Sequence, residues 1–425
     1  MTEPAELTAL IGIDWADQQH EVTLQVVATG RIERQRLVHT PEAIAEWLAT
    51  LRQRFANAPV GIAVETSRGP LVHALLEHDW VVLYPVNPRS LKRFRETFAP
   101  SGAKDDRPDA DLLCELLAKH RDRLRAWLPE DVATRALRRL VESRRRTVDL
   151  RTKLTQQLTA ALKEYFPQAL AWAGEDLSSA LACDFLLQWP TLDAVQRARR
   201  TTVERFYTAH NCRRPERIAE RLEAIQQARP LTRDPAIIEP AVLVVQMLAR
   251  QLQTLAESLV QFDAEIARRF SAHEDAVLFS SLPGSGAALA PRLLVAFGTD
   301  RTRFRRAADV QEYAGIAPVL KRSGNSAIVH WRWSAPTFVR QSFHEFATQS
   351  IRFSPWARAY YALQRSRGKG KHAALRALAY KWIRIIWRCW QDRTPYDDAR
   401  YTRALLCHST PLTTRLAPTP IQKVA

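Results

Sequence analysis

Four acidic side chains stand where they can act as a group. Asp14 follows the apolar run Leu10 to Ile13, Glu65 follows Val60 to Val64, and Asp106 and Asp109 lie three residues apart where a leucine-bearing helix begins. Carboxylates at strand ends are held still by the sheet yet stay open to solvent and substrate. A pair spaced i,i+3 shares one helix face, so two acids from strands and two from a helix can meet in one groove. Left bare, they would repel one another. Divalent magnesium, with manganese as a substitute, neutralises such a cluster, polarises a phosphate and activates an attacking oxygen. For any one acid alone, the simpler alternative is a solvated residue capping local structure. Asp105 competes with Asp106 for the same role, while Asp111 reads as an exposed helical residue. Pro108 lacks an amide donor and fits only near a first helical turn, which puts the helix start close to Asp106.

The elements that must hold these acids follow from periodicity and turn residues. Leu10 to Ile13 is a short apolar strand, Glu21 to Ala28 an alternating one, Thr29-Gly30 a turn, and Ile32 to Val38 returns antiparallel. Thr40 caps a helix with Pro41 in its first turn and Ile44, Leu48 and Leu51 on one face. Val60 to Val64 reads as a buried strand, followed by a helix from Pro70 to Glu77, the strand Val81 to Pro85, and a basic helical stretch with Lys92, Arg93 and Arg95. A three-strand meander and then strand–helix alternation is the order of a ribonuclease-H-like sheet.

From Glu130 onward the pattern is that of long helices. Leu137, Val141, Val148, Leu158 and Leu162 form one stripe; Leu248, Leu252, Leu255, Leu259, Phe262 and Ile266 form a clearer one, with alternating steps of four and three. Such spacing predicts a coiled coil or a long helical hairpin. Packing within one chain and pairing across a dimer satisfy it equally. Residues 167–241 carry no chemistry that the pattern reveals. The expected organisation is α/β plus α: an α/β domain at 1–125, a helical linker and coiled coil at 126–277, a mainly helical domain at 278–397, and a flexible tail at 398–425.

Lysine and arginine outnumber aspartate and glutamate 62 to 45, a formal net charge of +17. A phosphate backbone is the commonest partner for such a surface. The sequence has no run of eighteen uncharged apolar residues, and Met1 to Thr8 carries two glutamates in place of a positive leader. The expectation is a cytoplasmic, nucleic-acid-associated protein that engages no membrane. Cys114, Cys183, Cys212, Cys389 and Cys407 are odd in number and scattered, which suits a reduced interior. The strongest local charge is the run Arg365 to His372, whose Arg365, Arg367, Lys369 and Lys371 are expected to touch phosphates. Trp382, Ile385, Ile386 and Trp387 beyond it read as a core face. Leu282-Pro283-Gly284-Ser285-Gly286 fits either a phosphate-approaching helical hairpin or an ordinary helix connection.

With these residues in view, the chain resembles the IS110-type transposases, or DEDD recombinases. The resemblance lies in Ile11-Gly12-Ile13-Asp14, Ala63-Val64-Glu65-Thr66, Val86-Asn87-Pro88 and the stretch Lys104 to Asp111, and it resumes at Ser281 to Gly286, Tyr313 to Pro318 and Ser323-Gly324-Asn325-Ser326. It implies that Asp14, Glu65, Asp106 and Asp109 form the metal site of a RuvC-like domain and that Ser323 is a covalent nucleophile, with Lys321 and Arg322 beside it. It further implies donor and target DNA as substrates, a structured guide RNA, and a homo-oligomer in which dimers build a tetramer, acids from one subunit and serine from another completing the site. Two departures stand out: Glu65 is followed by Thr66-Ser67-Arg68 where Ala-Thr-Gly is usual, and the segment after Ser326 is aromatic, with His330, Trp331 and Trp333. Two other readings compete with a serine recombinase: a metal-dependent junction nuclease that needs no serine, and a basic scaffold that binds nucleic acid without cutting it.

Overall fold

A computed structural model of the chain describes residues 6–65, 69–98, 109–124, 126–127, 130–323, 326–330, 332, 335–407 and 412. The chain divides into two compact units, Met1–Pro129 and Glu130–Ala425.

The first unit is built on a five-stranded sheet. β1 (Ala9–Asp14), β2 (Gln19–Val26) and β3 (Ile32–Val38) form an antiparallel meander, and β4 (Val60–Val64) and β5 (Val81–Pro85) extend it parallel to β1, giving the order β3-β2-β1-β4-β5. This is the order expected of a ribonuclease-H-like sheet. Among the described residues four α-helices accompany it: α1 (Pro41–Arg54), α2 (Pro70–Leu75), α3 (Pro88–Phe98) and α4 (Asp109–His120). The Thr40 side chain accepts from the Ala43 amide, as the cap required.

Strand parity decides which side chains can reach which layer. Ala9, Ile11 and Ile13 of β1, with Val60, Ile62 and Val64 of β4, bury into one core with Ile44, Leu48 and Leu51 of α1 and Val72 of α2. Leu10 and Ala63 face the other side, where Leu112, Leu113 and Leu117 of α4 cover the sheet. By the same alternation Gly12 and Asp14 belong to the α4 face, and so does Glu65.

Gly12 makes this layer possible. A Cβ there would lie 2.0 Å from the Ala110 carbonyl oxygen and 2.5 Å from the Cys114 nitrogen, so α4 rests on β1 at backbone distance. The start of α4 is thereby brought over the end of β1.

The second unit is helical: α5 (Val132–Tyr165), then α6 (Ala169–Trp172), α7 (Ala180–Gln188), α8 (Leu192–Arg197), α9 (Arg200–Ala209) and α10 (Pro215–Gln227), then α11 (Pro235–Ser271), α12 (Ala276–Ser280), α13 (Gly286–Phe297) and α14 (Ala307–Tyr313). A two-stranded hairpin, β6 (Val319–Ser323) and β7 (Ser326–His330), precedes α15 (Thr337–Phe353), α16 (Pro355–Ser366), α17 (Lys371–Gln391) and α18 (Asp398–Leu406). The long α5 and α11 pack along each other within the chain and feed two apolar cores. Leu154, Leu158 and Leu162 meet Val245, Leu248 and Leu252 in the core that α6–α10 complete. Leu137, Val141 and Ile266 join the core of α12–α17. Intrachain packing thus accounts for the buried part of both stripes. α11 is, among the described residues, the one helix long and apolar enough to cross a membrane by length and composition; Glu239 and Arg250 interrupt its apolar run.

The C-terminal tryptophans are core, as their spacing predicts. Trp382 is fully buried and its indole donates to Ser350 Oγ at 2.8 Å, while the half-buried Trp387 donates to the Phe304 carbonyl at 3.1 Å. Gly284 would collide, through a Cβ, with Phe353 and the Gln349 backbone. Ser285 is buried, its hydroxyl donating to the carbonyls of Phe279 and Leu282; the Leu282–Gly286 turn therefore serves as a packed helix connection. The first residues of the expected tail are folded into α18, where Asp398 accepts from Ser354 Oγ at 2.7 Å and Tyr401 packs on Trp356.

Candidate active site

Asp14 ends β1, Glu65 follows β4, and Asp109 opens α4. β1 and β4 are parallel neighbours with Ile13 paired to Val64, so the two acids leave adjacent strands at the same end and, by parity, on the same face. Their charges feel one another. Burial raises the proton affinity of Asp14 above the ordinary carboxylate range, and the negative charge of Asp109 raises it further; Arg95 opposes the rise and Glu21 adds to it. Glu65 is likewise raised, first by burial, then by Asp109 and Asp14, again against Arg95. Both shifts come from partial burial and from neighbouring negative charge, the two influences that favour the neutral form of a carboxyl.

Arg95, in the last turn of α3, bonds directly to Asp109. It supplies the positive charge common to all three acids. Among the described residues no three acidic, histidine or cysteine side chains stand close enough to close a metal cage. Asp14, Glu65 and Asp109 thus interact through their charges without forming a ligand cage, and Asp106, with its competitor Asp105, lies outside the described residues. The donor set is nonetheless hard carboxylate oxygen, the chemistry that suits magnesium or manganese.

Asp111 corrects its expected exposure. It is buried at 8%, accepts from Thr23 Oγ1 at 2.6 Å, and takes a two-pronged bond from Arg34, Nε to Oδ1 at 2.9 Å and Nη2 to Oδ2 at 2.9 Å. The register explains the geometry: Gly12 pairs with Thr23 and Thr23 with Arg34, so the three form a row across β1, β2 and β3 beneath the first turn of α4. Gly12 admits the helix, and Thr23 with Arg34 fastens its acidic end. Sequence pattern missed this clamp because it exists only once strands are paired, although Thr23 and Arg34 occupy same-face positions that alternation alone marks as α4-facing.

The other predicted residues lie in the second unit. Ser323 is the last residue of β6, paired with Ser326, and Lys321 and Arg322 precede it in the same strand; Arg322 is exposed. Gly324 and Asn325 lie outside the described residues, as do Trp331 and Trp333. Gly315, at φ +66°, lets the chain before the hairpin approach the chain after it, since a Cβ would sit 2.4 Å from the Ala335 Cβ. Arg365, Arg367, Lys369 and Lys371 are all exposed around the α16–α17 turn. Lys369 Nζ donates to Gln364 Oε1 at 2.6 Å and Arg365 caps the Lys369 carbonyl at 2.8 Å, so the turn is ordered by its own polar groups.

Two family profiles match this chain. Residues 11–167 match the DEDD-type IS110 transposase profile, described as "Transposase", and residues 276–362 match "Transposase IS116/IS110/IS902 family". A Streptomyces coelicolor mini-circle protein, provisionally named a transposase for IS117, is 27% identical over 94% of this chain and 98% of its own length. The "Insertion element IS900 uncharacterized 42 kDa protein" of Mycobacterium paratuberculosis is 26% identical over 92% of this chain and 98% of its own. The chain belongs to the IS110-type transposase family. Membership makes it a DNA-processing enzyme.

Proposed function

We propose that the protein cuts and rejoins DNA in two chemically distinct places, an acid site that takes a divalent ion and a serine that holds the cut strand. The exit of Asp14 and Glu65 from adjacent parallel strands on the face that α4 covers, with Asp109 opening that helix, supports the first half. Asp106 is assigned as the fourth acid by its place in the family stretch. A bound magnesium ion would supply positive charge to a phosphate oxygen and lower the cost of forming an alkoxide. The chain's own part is to fix the carboxylates: parity aims Asp14 and Glu65, and the Gly12 contact and the Asp111 clamp set Asp109.

Ser323 is proposed as the nucleophile. Its hydroxyl oxygen bonds to phosphorus while the bond from phosphorus to the 3′ oxygen breaks; the proton lost by the serine is matched by the one the 3′ hydroxyl gains. The phosphoserine ester conserves the energy of the broken linkage for rejoining. Lys321 and Arg322 favour approach of the anionic strand. The exposed Arg365–Lys371 turn adds sequence-independent phosphate affinity. Guidance by a structured RNA, and assembly of dimers into a tetramer, complete the reading by analogy with the family.

The test is chemical. Native protein is purified with its bound nucleic acid, any structured RNA is sequenced and returned with candidate DNA, and the reaction is quenched and digested for mass spectrometry. A nucleotide adduct on Ser323 is the expected result. An adduct on Ser326 would reject the assignment, and cleavage with no adduct would favour a junction nuclease.

A further inference from the structure

We propose that Arg95 is a resident counter-cation of the acid cluster, which a divalent ion must displace from Asp109, so that this one guanidinium sets how tightly the site takes metal. The inference rests on the metal-site reading above and adds to it a residue that opposes loading.

The geometry is specific. Arg95 bonds to Asp109, the first residue of α4, which the contact of Gly12 with the Ala110 carbonyl seats over the end of β1 that Asp14 closes. Its guanidinium is thereby held at the helix end that faces the two strand-end acids. It therefore does the electrostatic work of a cation at the point where a metal would do it. A guanidinium bonded to a carboxylate oxygen occupies a lone pair that a hard divalent ion requires, so the two compete.

Arg95 is not needed to hold α4. The helix is seated by the Gly12 contact and fastened by Thr23 and Arg34 on Asp111. The Arg95 side chain is 40% exposed, open enough to leave, and guanidinium is weakly hydrated and exchanges one oxyanion for another at little cost. A residue this placed keeps the acids from repelling in the absence of metal and weakens metal binding by the same interaction.

Mn²⁺ titration of the full-length protein, with free Mn²⁺ read by electron paramagnetic resonance at fixed ionic strength, tests this. Arg95→Gln is expected to bind Mn²⁺ on the order of tenfold more tightly than the parent, and to melt at a lower temperature in chelator but not in saturating Mn²⁺. Arg95→Lys, which keeps the charge without the fork, is expected to fall between them. General damage to the site would loosen metal, so tightening is a result that a merely structural role does not produce. Equal or weaker affinity in Arg95→Gln, with the parent still binding, overturns the role of Arg95 and leaves the metal site standing. Binding by the parent that survives Asp14→Asn, or no stoichiometric binding by any form, overturns the metal reading and this inference together. Should Arg95→Gln fail to fold, the Arg95→Lys comparison decides alone, with affinity equal to the parent's counting against the proposal.

Discussion

The acid cluster and the serine hairpin are both proposed to do chemistry, yet they are constructed by opposite means. The elements of the first are fixed by separate constraints: strand parity places Asp14 and Glu65, and a glycine at backbone contact with a buried Asp111 bonded to two strands seats the helix that Asp109 opens. Ser323 stands at the tip of two short strands that form a sheet of their own, held at the base by the close approach of Gly315 to Ala335. A site that binds a small hard ion needs its ligands placed to a fraction of an ångström. The proposed nucleophile sits instead beside a connection between strands, the kind of segment that a scaffold leaves freer to vary.

The comparison breaks most sharply at the chemistry itself. Asp14→Ala or Glu65→Ala is expected to lower strand cleavage on the order of a thousandfold, about 4 kcal/mol of activation free energy, with the fold retained by circular dichroism. Ser323→Ala is expected to abolish the covalent adduct and strand transfer while leaving Mn²⁺ affinity unchanged. Near-normal cleavage by either acid variant would remove the first site from the mechanism; undiminished strand transfer by the serine variant would remove the second.

The next effect is on architecture. Gly12→Val places carbon atoms where the Ala110 carbonyl and Cys114 nitrogen already lie, and overpacking against backbone costs about 3 kcal/mol, the upper end for core insertions. Asp111→Ala removes the acceptor of Thr23 and Arg34 and is expected to cost about 2 kcal/mol, because Thr23 is left buried and unpaired while Arg34 can reach water. Both are read from urea unfolding of the full chain. Gly370→Ala is the control, since no atom lies within 4 Å of its Cβ position. Should Gly12→Val unfold no earlier than Gly370→Ala, α4 is not seated as described.

Most of the first unit was legible in the sequence, because a half-buried sheet writes its parity into alternate residues. The strand ends and the acids at Asp14 and Glu65 came from that pattern, and the Thr40 cap from the Thr-Pro start of a helix. Asp111 was misread because a lone aspartate in a first helical turn has the same signature whether it faces water or a strand; only the pairing of Gly12, Thr23 and Arg34 across three strands separates the cases. Arg95 was visible merely as one base among several in α3. The stripes of α5 and α11 announced long helices but not their partner, since a heptad-like seam fits its own chain and another equally. Ser323 lay beyond physical reading altogether: Ser-Gly-Asn-Ser is ordinary turn chemistry, and its assignment came from resemblance.

A smaller effect tests the exposed α16–α17 turn. Changing Arg365, Arg367, Lys369 and Lys371 together to glutamine is expected to weaken nucleic-acid binding and to reduce the slope of log affinity against log salt by up to about three and a half on duplex DNA. The intramolecular bonds of Arg365 and Lys369 make two the more realistic value. An unchanged slope over a salt titration would place phosphate contacts elsewhere.

The smallest expected effect is the pH dependence that the acid cluster confers on its own unit. Asp14 and Glu65 bind protons more tightly folded than unfolded, chiefly through burial and then through Asp109. A carboxyl raised in this way contributes stability that is fully present below its unfolded value and is lost as pH rises through the folded value. The window therefore opens at the ordinary carboxylate range and extends upward from it. Other acids act in the opposite sense, Asp131 and Asp176 being held below their ordinary values by hydrogen bonds that outweigh burial, so total stability against pH would mask the signal. The useful quantity is the difference between Asp14→Asn and the parent in chelator, measured by denaturant unfolding at several pH values. Asparagine carries no charge at any of them, so the variant should gain on the parent at neutral pH and lose that gain as the parent's carboxyl takes up its proton. Saturating Mn²⁺ should reverse the sign at neutral pH, because the ion rewards the charge that burial penalises. A difference that is flat across the carboxylate range would mean that Asp14 is as well solvated as an isolated acid, and the contrast between the acid site and the serine hairpin would lose its electrostatic basis.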